Sequence, residues 1–282
     1  MRRNCLIAIA VWIALFAGYA FVLFHNDVPF EGALLGGGVM SFLVGIGLAM
    51  INGARFDMRD RAALGRFRRG ERPRDGQLAA VSGEIRATFE PLRAPFSQQE
   101  CVVYRYDIGP AQTRHRNAQR DYVGFGFTTC AIHSRMGTFA IGSFPVLHGF
   151  DEQRFSSTRA YVEATEFEEF TNVLLLAKYT LQLHEQPPPV RVDWQLGVPS
   201  GAKADGIEAI VENGTQVTAY GRYSSSANAL VAGTKSEGYV RLYRGSTKTM
   251  PPRVISQLIT GIVLILIANV GLWLVLTNVA AL

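Results

Sequence analysis

The chain has three cysteines in 282 residues, and one of them, Cys5, falls inside an apolar stretch. The two left in the polar body, Cys101 and Cys130, are too few for a disulfide framework, which suits a reducing compartment. The phosphate loop GxxxxGK[ST], HExxH, CxxC and the GxSxG elbow are all missing. Their absence removes the usual signatures of nucleotide hydrolysis, zinc proteolysis, thiol redox chemistry and serine hydrolysis. Charge is missing from three long stretches: Cys5 to Phe24, Gly32 to Ile51 and Ile255 to Ala280.

Each stretch has about 20 residues or more, enough for a helix to cross a hydrocarbon layer of ~30 Å. Arg2 and Arg3 resemble the start of a signal peptide. However, the apolar run behind them is about twice the usual length, and a second run follows after His25 to Glu31. The pattern predicts a transmembrane hairpin over 1–52 and a third span over 255–280. Asn269 and Asn278 are the strongly polar residues of the third span and read as interhelix hydrogen-bonding groups. Gly32 and Gly36, followed by Gly37, Gly38, Gly45 and Gly47, predict close helix packing, within the chain or between copies of it. With no Asp, Glu, Lys or Arg inside a span, ion or proton transport is disfavoured.

Beyond the second span, Asn52 to Arg74 carries eight arginines against Asp57, Asp60 and Glu71. This excess equals the net charge of the whole chain, +5. The positive-inside rule then puts this segment, the N-terminus and the large domain in the cytoplasm, and the C-terminal tail outside. Arginines beside a membrane attract anionic headgroups, so Arg66, Arg68, Arg69 and Arg72 are the expected lipid contacts, in preference to nucleic acid. Phe56, Ala63, Leu64 and Phe67 recur at helical spacing, and residues 53–76 read as a basic juxtamembrane helix or linker.

From Gln77 the pattern alternates. Strands are predicted over Leu78 to Thr88, with Gly83 as a bulge, and over Cys101 to Ile108, Tyr122 to His133 and Thr138 to Ser143. The prolines of ProLeuArgAlaProPheSer, Pro91 to Ser97, exclude regular structure there. Arg114, His115, Arg116 and Arg120 form a basic hairpin tip, a solvated loop or a docking site for an anionic partner. One helix is expected from a Thr165 cap through Ala177, ending before the prolines at 187–189. Strands then resume at Val190 to Gln195, Ile207 to Glu212, Gln216 to Tyr223 and Gly238 to Tyr243. AsnGly at 213 and 214 reads as a hairpin turn. The expected fold is therefore transmembrane helices plus a β-rich α+β domain over 77–250, barrel-like or sandwich, with one helix.

No catalytic set emerges. GlyPheGlyPhe at 124–127 lacks the third glycine of a dinucleotide fingerprint and reads as packing or a bulge. Cys130 and His133 are three apart on a strand and so face opposite ways. Neither they nor His148 supply the paired ligands of a zinc site. The Asn213-Gly214-Thr215 sequon is incidental in a cytoplasmic turn. The expected inventory has no metal and no cofactor.

AlaValSerGlyGluIle, ProLeuArgAlaProPheSer and CysValValTyrArgTyr, in order between Ala80 and Tyr106, resemble the membrane-side domain of mitochondrial ubiquitin ligases of the GIDE type. This "beside a membrane" domain also occurs in prokaryotic proteins. ValGluAsnGlyThrGlnValThrAlaTyrGlyArgTyr, from Val211 to Tyr223, is similar to that family's second landmark. The matching residues are Gly83, Leu92, Ala94, Pro95, Ser97, Cys101, Tyr104, Gly214 and Gly221. The resemblance implies a β-rich domain beside a membrane that contacts partner proteins. It does not extend to the RING domain, because no zinc-ligand set follows the last span and the sequence stops at Leu282. The expectation is a bacterial inner-membrane scaffold without ligase activity, binding an unidentified membrane or cytoplasmic protein. The alternative is an enzyme or small-ligand sensor with a pocket in the β-rich domain.

Overall fold

The computed structural model describes residues 2–110, 120–156, 158–170, 172–198, 204–233, 238–245 and 253–279. In chain order these form α1 (Arg2–His25), α2 (Phe30–Arg68), β1 (Leu78–Ala87), β2 (Leu92–Arg93), β3 (Glu100–Pro110), β4 (Tyr122–Phe127) and β5 (Cys130–Ser134). Next come β6 (Gly137–Ile141), β7 (Val146–His148), β8 (Glu152–Ser156), α3 (Arg159–Ala164), β9 (Glu168–Glu169) and α4 (Val173–Leu183). The last elements are β10 (Val190–Gln195), β11 (Ala204–Glu212), β12 (Gln216–Ser224), β13 (Ala229–Val231), β14 (Arg241–Arg244) and α5 (Arg253–Val279). Two compact units result: Met1–Arg61 with Met250–Leu282, and Ala62–Thr249.

The first unit is helical. Two of its helices, Phe30–Arg68 and Ser256–Thr277, are long and apolar enough to cross a membrane, and α1 adds a shorter apolar run, Ile9–His25. Leu23, Ala33, Met40, Val44 and Ala268 are buried between the helices, while Phe21, Leu35, Val39, Phe42, Leu266 and Trp273 point outward. The glycines are used for contact inside the chain. A Cβ on Gly37 would sit 2.9 Å from the Ala20 backbone nitrogen, and one on Gly47 would sit 2.7 Å from the Gly261 carbonyl oxygen. Asn269 donates to the Ile265 carbonyl of its own helix at 2.7 Å, and its Oδ1 faces the Tyr19 hydroxyl at 3.5 Å.

The second unit holds the strands. A five-stranded barrel runs β1-β5-β6-β13-β12 and closes because β1 also pairs with β12; β14 and β7 extend it from β12. A second sheet has the order β8-β11-β3-β4-β10-β9, with β2 beside β3. Both sheets contribute to one core, which includes Val81, Ile85, Val103, Phe127, Cys130, Ile132, Phe144, Val211, Val217 and Leu230. The end of α2 is anchored to this core. Gly70, at φ 78°, closes the helix with Gly70 N–H to Phe67 O and Glu71 N–H to Arg66 O, the paired bonds of a Schellman stop. Phe67 is buried in the core, and Arg135 donates to the carbonyls of Phe67 and Arg68 with its guanidinium 5.4 Å above the Phe67 ring.

Several expectations are corrected. The single strand over Tyr122 to His133 is two strands, β4 in the second sheet and β5 in the barrel, with the chain crossing at Thr128 and Thr129. Asn213 and Gly214 form a tight turn, with Gly214 at φ 92°, but β11 and β12 on either side enter different sheets, so it is no hairpin. Gly83 is no bulge: β1 runs in unbroken register against β12 from Leu78↔Arg222 to Glu84↔Gln216. Gly83 is needed because a Cβ would lie 2.2 Å from the His133 carbonyl oxygen. The one expected helix is two. Thr165 follows α3, Glu168 and Glu169 pair as β9 with β10, and Asn172 caps α4 by accepting from Leu174 N–H at 2.9 Å. Leu92 and Arg93 pair briefly with β3 within the otherwise irregular proline segment.

Candidate functional site

The second sheet carries an unusual pair of rungs. On one, Gly124 lies between Tyr106 of β3 and Asp193 of β10; on the next, Gly126 lies between Tyr104 and Arg191. Strands are ~4.8 Å apart, so a side chain at the central position would block one outer strand from the other. With glycine there, the rings lie across β4. A Cβ on Gly124 would sit 2.0 Å from Tyr106 Cε1, and one on Gly126 would sit 2.1 Å from Tyr104 Cε1. The GlyPheGlyPhe stretch is therefore packing, and the packing is for tyrosines.

Tyr106 reaches the Asp193 carboxylate and donates to it. Tyr161 of α3 contacts both groups, at 3.3 Å from each, and Arg191 Nε adds a bond to Asp193 at 3.3 Å. The Asp193 side chain is only 9% exposed. Burial and the neighbouring carboxylate push the Tyr106 hydroxyl far above its ordinary value, and burial does the same for Tyr104. Both therefore stay protonated, and Tyr106 keeps the proton it donates to Asp193. Phe96 closes the cluster, edge-on to Tyr106 at 5.3 Å. It is held by Glu208, a buried carboxylate on β11 that accepts from the Phe96 and Ser97 N–H groups at 3.0 Å each. The proline segment is thus clamped from the sheet. This arrangement braces the domain; it offers no open face to a substrate.

Cys101 and Cys130 are buried as well. Burial pushes Cys101 and Cys130 up to about 12, with Glu208 adding to the effect at Cys101. Cys130 is buried and His133 exposed, as their spacing predicts. No group of three metal-ligating side chains occurs among the described residues. An open depression of about 570 Å³ is lined by Gly142, Ser143, Glu185, Arg222 and Val231 to Gly233. His184 beside it, tilted against Tyr239 with ring centroids 4.6 Å apart, is shifted toward the neutral form by burial, partly offset by its bond to the Phe144 carbonyl.

Two exposed features stand out. Helix α4 turns Leu176 and Leu183 to the core but exposes Leu174, at 80%, together with Leu175, Tyr179 and Leu181. Val198, exposed at 87%, follows β10 close by in the chain. Among the arginines expected to meet lipid, Arg66 donates to the Leu78 carbonyl at 2.9 Å, Arg69 pairs with Glu71, and Arg68 is engaged as well. Arg72 is exposed. Of the basic tip, Arg114, His115 and Arg116 lie outside the described residues, while Arg120 forms an ion pair with Asp107 at 3.0 Å. Neither the tyrosine rungs nor the clamp at Glu208 could be found from periodicity, because each depends on which strands are neighbours.

Compared with known protein families, curated proteins and solved structures, the chain matches none.

Proposed function

We propose that the chain is a multi-pass membrane protein presenting its β-rich unit in the cytoplasm as a scaffold for a partner protein, in the manner of a GIDE-like domain without a ligase. The carrying observation is the exposed apolar face of α4. Leucines at this exposure on an ordered helix are the mark of a surface that another apolar surface covers. The outward-facing apolar side chains of the helical unit suit a lipid environment, and the arginine excess after the second span favours the cytoplasmic side. The sequence resemblance adds the bacterial inner membrane and the partner-binding role.

A photo-reactive residue at Leu175 in intact membranes should give a discrete protein adduct, one at Glu152 on β8 should not, and Leu174→Gln with Tyr179→Gln should abolish it. Equal labelling at both sites would refute the docking role. A cytoplasm-dependent reporter inserted at Gln112 should be active; silence there would reverse the orientation. The small-ligand reading rests on the depression at Ser143, Glu185 and Arg222, and a ligand that protects Tyr239 but not Leu175 from labelling would favour it.

A further inference from the structure

We infer that Arg55 and Arg59, on the first turns of α2 past its apolar stretch, clamp the phosphate of an anionic phospholipid headgroup. The inference rests on the membrane reading above and assigns a specific contact within it. It moves the lipid site away from Arg66, Arg68 and Arg69, which are occupied by partners inside the chain. Arg55 and Arg59 are exposed and, among the described residues, have no hydrogen-bond or ion-pair partner.

Position on the helix supports the pairing. At 100° per residue, Arg55 and Arg59 lie about 40° apart on one face, with Met58 beside them at 43% exposure. Asp57 and Asp60 lie roughly 100° or more from either arginine. Asp60 is also buried and engaged. Of the acids that would cancel the charge in composition, Asp57 is therefore on the opposite side of the helix and Asp60 is off the arginine face. Depth agrees as well. With a rise of 1.5 Å per residue, Arg55 lies about 6 Å and Arg59 about 12 Å beyond Ile51. The headgroup layer is about 5–8 Å thick on each side. Arg55 thus stands in that layer, and Arg59 reaches back to it with its long side chain. Two guanidiniums one turn apart can each give a forked bond to one phosphate, and Met58 can lower its flexible thioether toward the acyl chains.

The test uses the full chain in detergent micelles, titrated with phosphatidylglycerol or phosphatidylcholine and read by native mass spectrometry of the lipid adducts. The wild type should prefer phosphatidylglycerol. Arg55→Gln with Arg59→Gln should weaken that lipid about thirtyfold, equivalent to roughly 1 kcal/mol per arginine. Arg61→Gln with Arg72→Gln removes the same charge from other positions and should change affinity less than threefold. Equal losses in the two pairs, or no preference between the lipids, would overturn the clamp, because general attraction or topology would then account for the arginines. If the double variant fails to fold, the single substitutions should each show about a fivefold loss, and no loss in either would overturn it. Release of the wild-type chain from membranes by alkaline carbonate would instead overturn the membrane reading itself.

Discussion

Replacing Gly124 by Ala adds one methyl group at the point where the second sheet has least room. The new carbon would sit 2.0 Å from Tyr106 Cε1, 2.1 Å from Cζ and 2.4 Å from the hydroxyl. The ring cannot stay, and its departure breaks the bond to Asp193 and the contacts to Phe96 and Tyr161. Overpacking costs about 1–3 kcal/mol, and a buried carboxylate losing a donor costs about 1.5–3 kcal/mol more. A total of roughly 3–5 kcal/mol in a unit of this size lowers the melting temperature by about 6–20 °C. The assay is thermal unfolding of the full chain in detergent, followed by near-ultraviolet circular dichroism of the tyrosines. A double-mutant cycle with Tyr106→Ala isolates the cause: once the ring is gone the methyl has space, so the coupling should be of the order of the single cost. Gly53→Ala, on α2 with open space around it, should be neutral or slightly stabilising. A Gly124→Ala protein melting within a degree of wild type would refute the rung.

Three further outcomes are expected. Glu208→Gln leaves one of the Phe96 and Ser97 N–H groups facing an amide donor, which should cost about 2–3 kcal/mol and open the chain near Arg93 to trypsin, seen as faster cleavage in the folded state. Cys101 and Cys130 titrate near 9 when unfolded and about 12 when folded, so their contribution to stability should be level below about pH 9. That contribution should then fall as pH rises, by up to about 1.4 kcal/mol per thiol per unit, and Cys130→Ala should make the urea midpoint fall less steeply between pH 9 and 11. Arg135→Ala removes the donor to the last carbonyls of α2 and the cation above Phe67, costing about 1–2 kcal/mol and speeding hydrogen exchange in the last turn of that helix; unchanged exchange would contradict the anchoring.

The long apolar helices were legible because length and composition are both local properties of a sequence. Strands β1, β3, β10 and β12 were legible for a similar reason, since alternation over several residues fits a half-buried strand and little else. What sequence could not reveal is where the chain changes sheet. Between Phe127 and Cys130 the apolar pattern continues, because β4 and β5 both bury residues in the same core from opposite sheets. Two threonines suffice for the crossing, with Thr128 N–H bonded to the Val102 carbonyl and the Thr129 carbonyl accepting from Thr88 N–H, so no proline or glycine announces it. The AsnGly turn misled for the converse reason. It is a genuine tight turn, yet Gly214 N–H bonds to the Ile85 carbonyl and Asn213 Oδ1 accepts from Ala87 N–H, which ties the turn to β1 and sends β12 into the barrel.

The same distinction separates the arginines. Composition makes all eight equivalent, and the expected lipid contacts among them were Arg66, Arg68, Arg69 and Arg72. Once α2 runs unbroken to Arg68 and Phe67 is buried in the domain core, the later arginines belong to the surface of that domain. Arg66 satisfies the carbonyl of Leu78 at the start of β1, a structural duty that a headgroup contact would have to displace. Arg55 and Arg59 have no such duty among the described residues, and they follow the apolar stretch within about two to three helical turns, which is why the proposed phosphate contact falls on them. Charge density in a sequence measures attraction; which charge is free to act is decided by the hydrogen bonds the fold has already made.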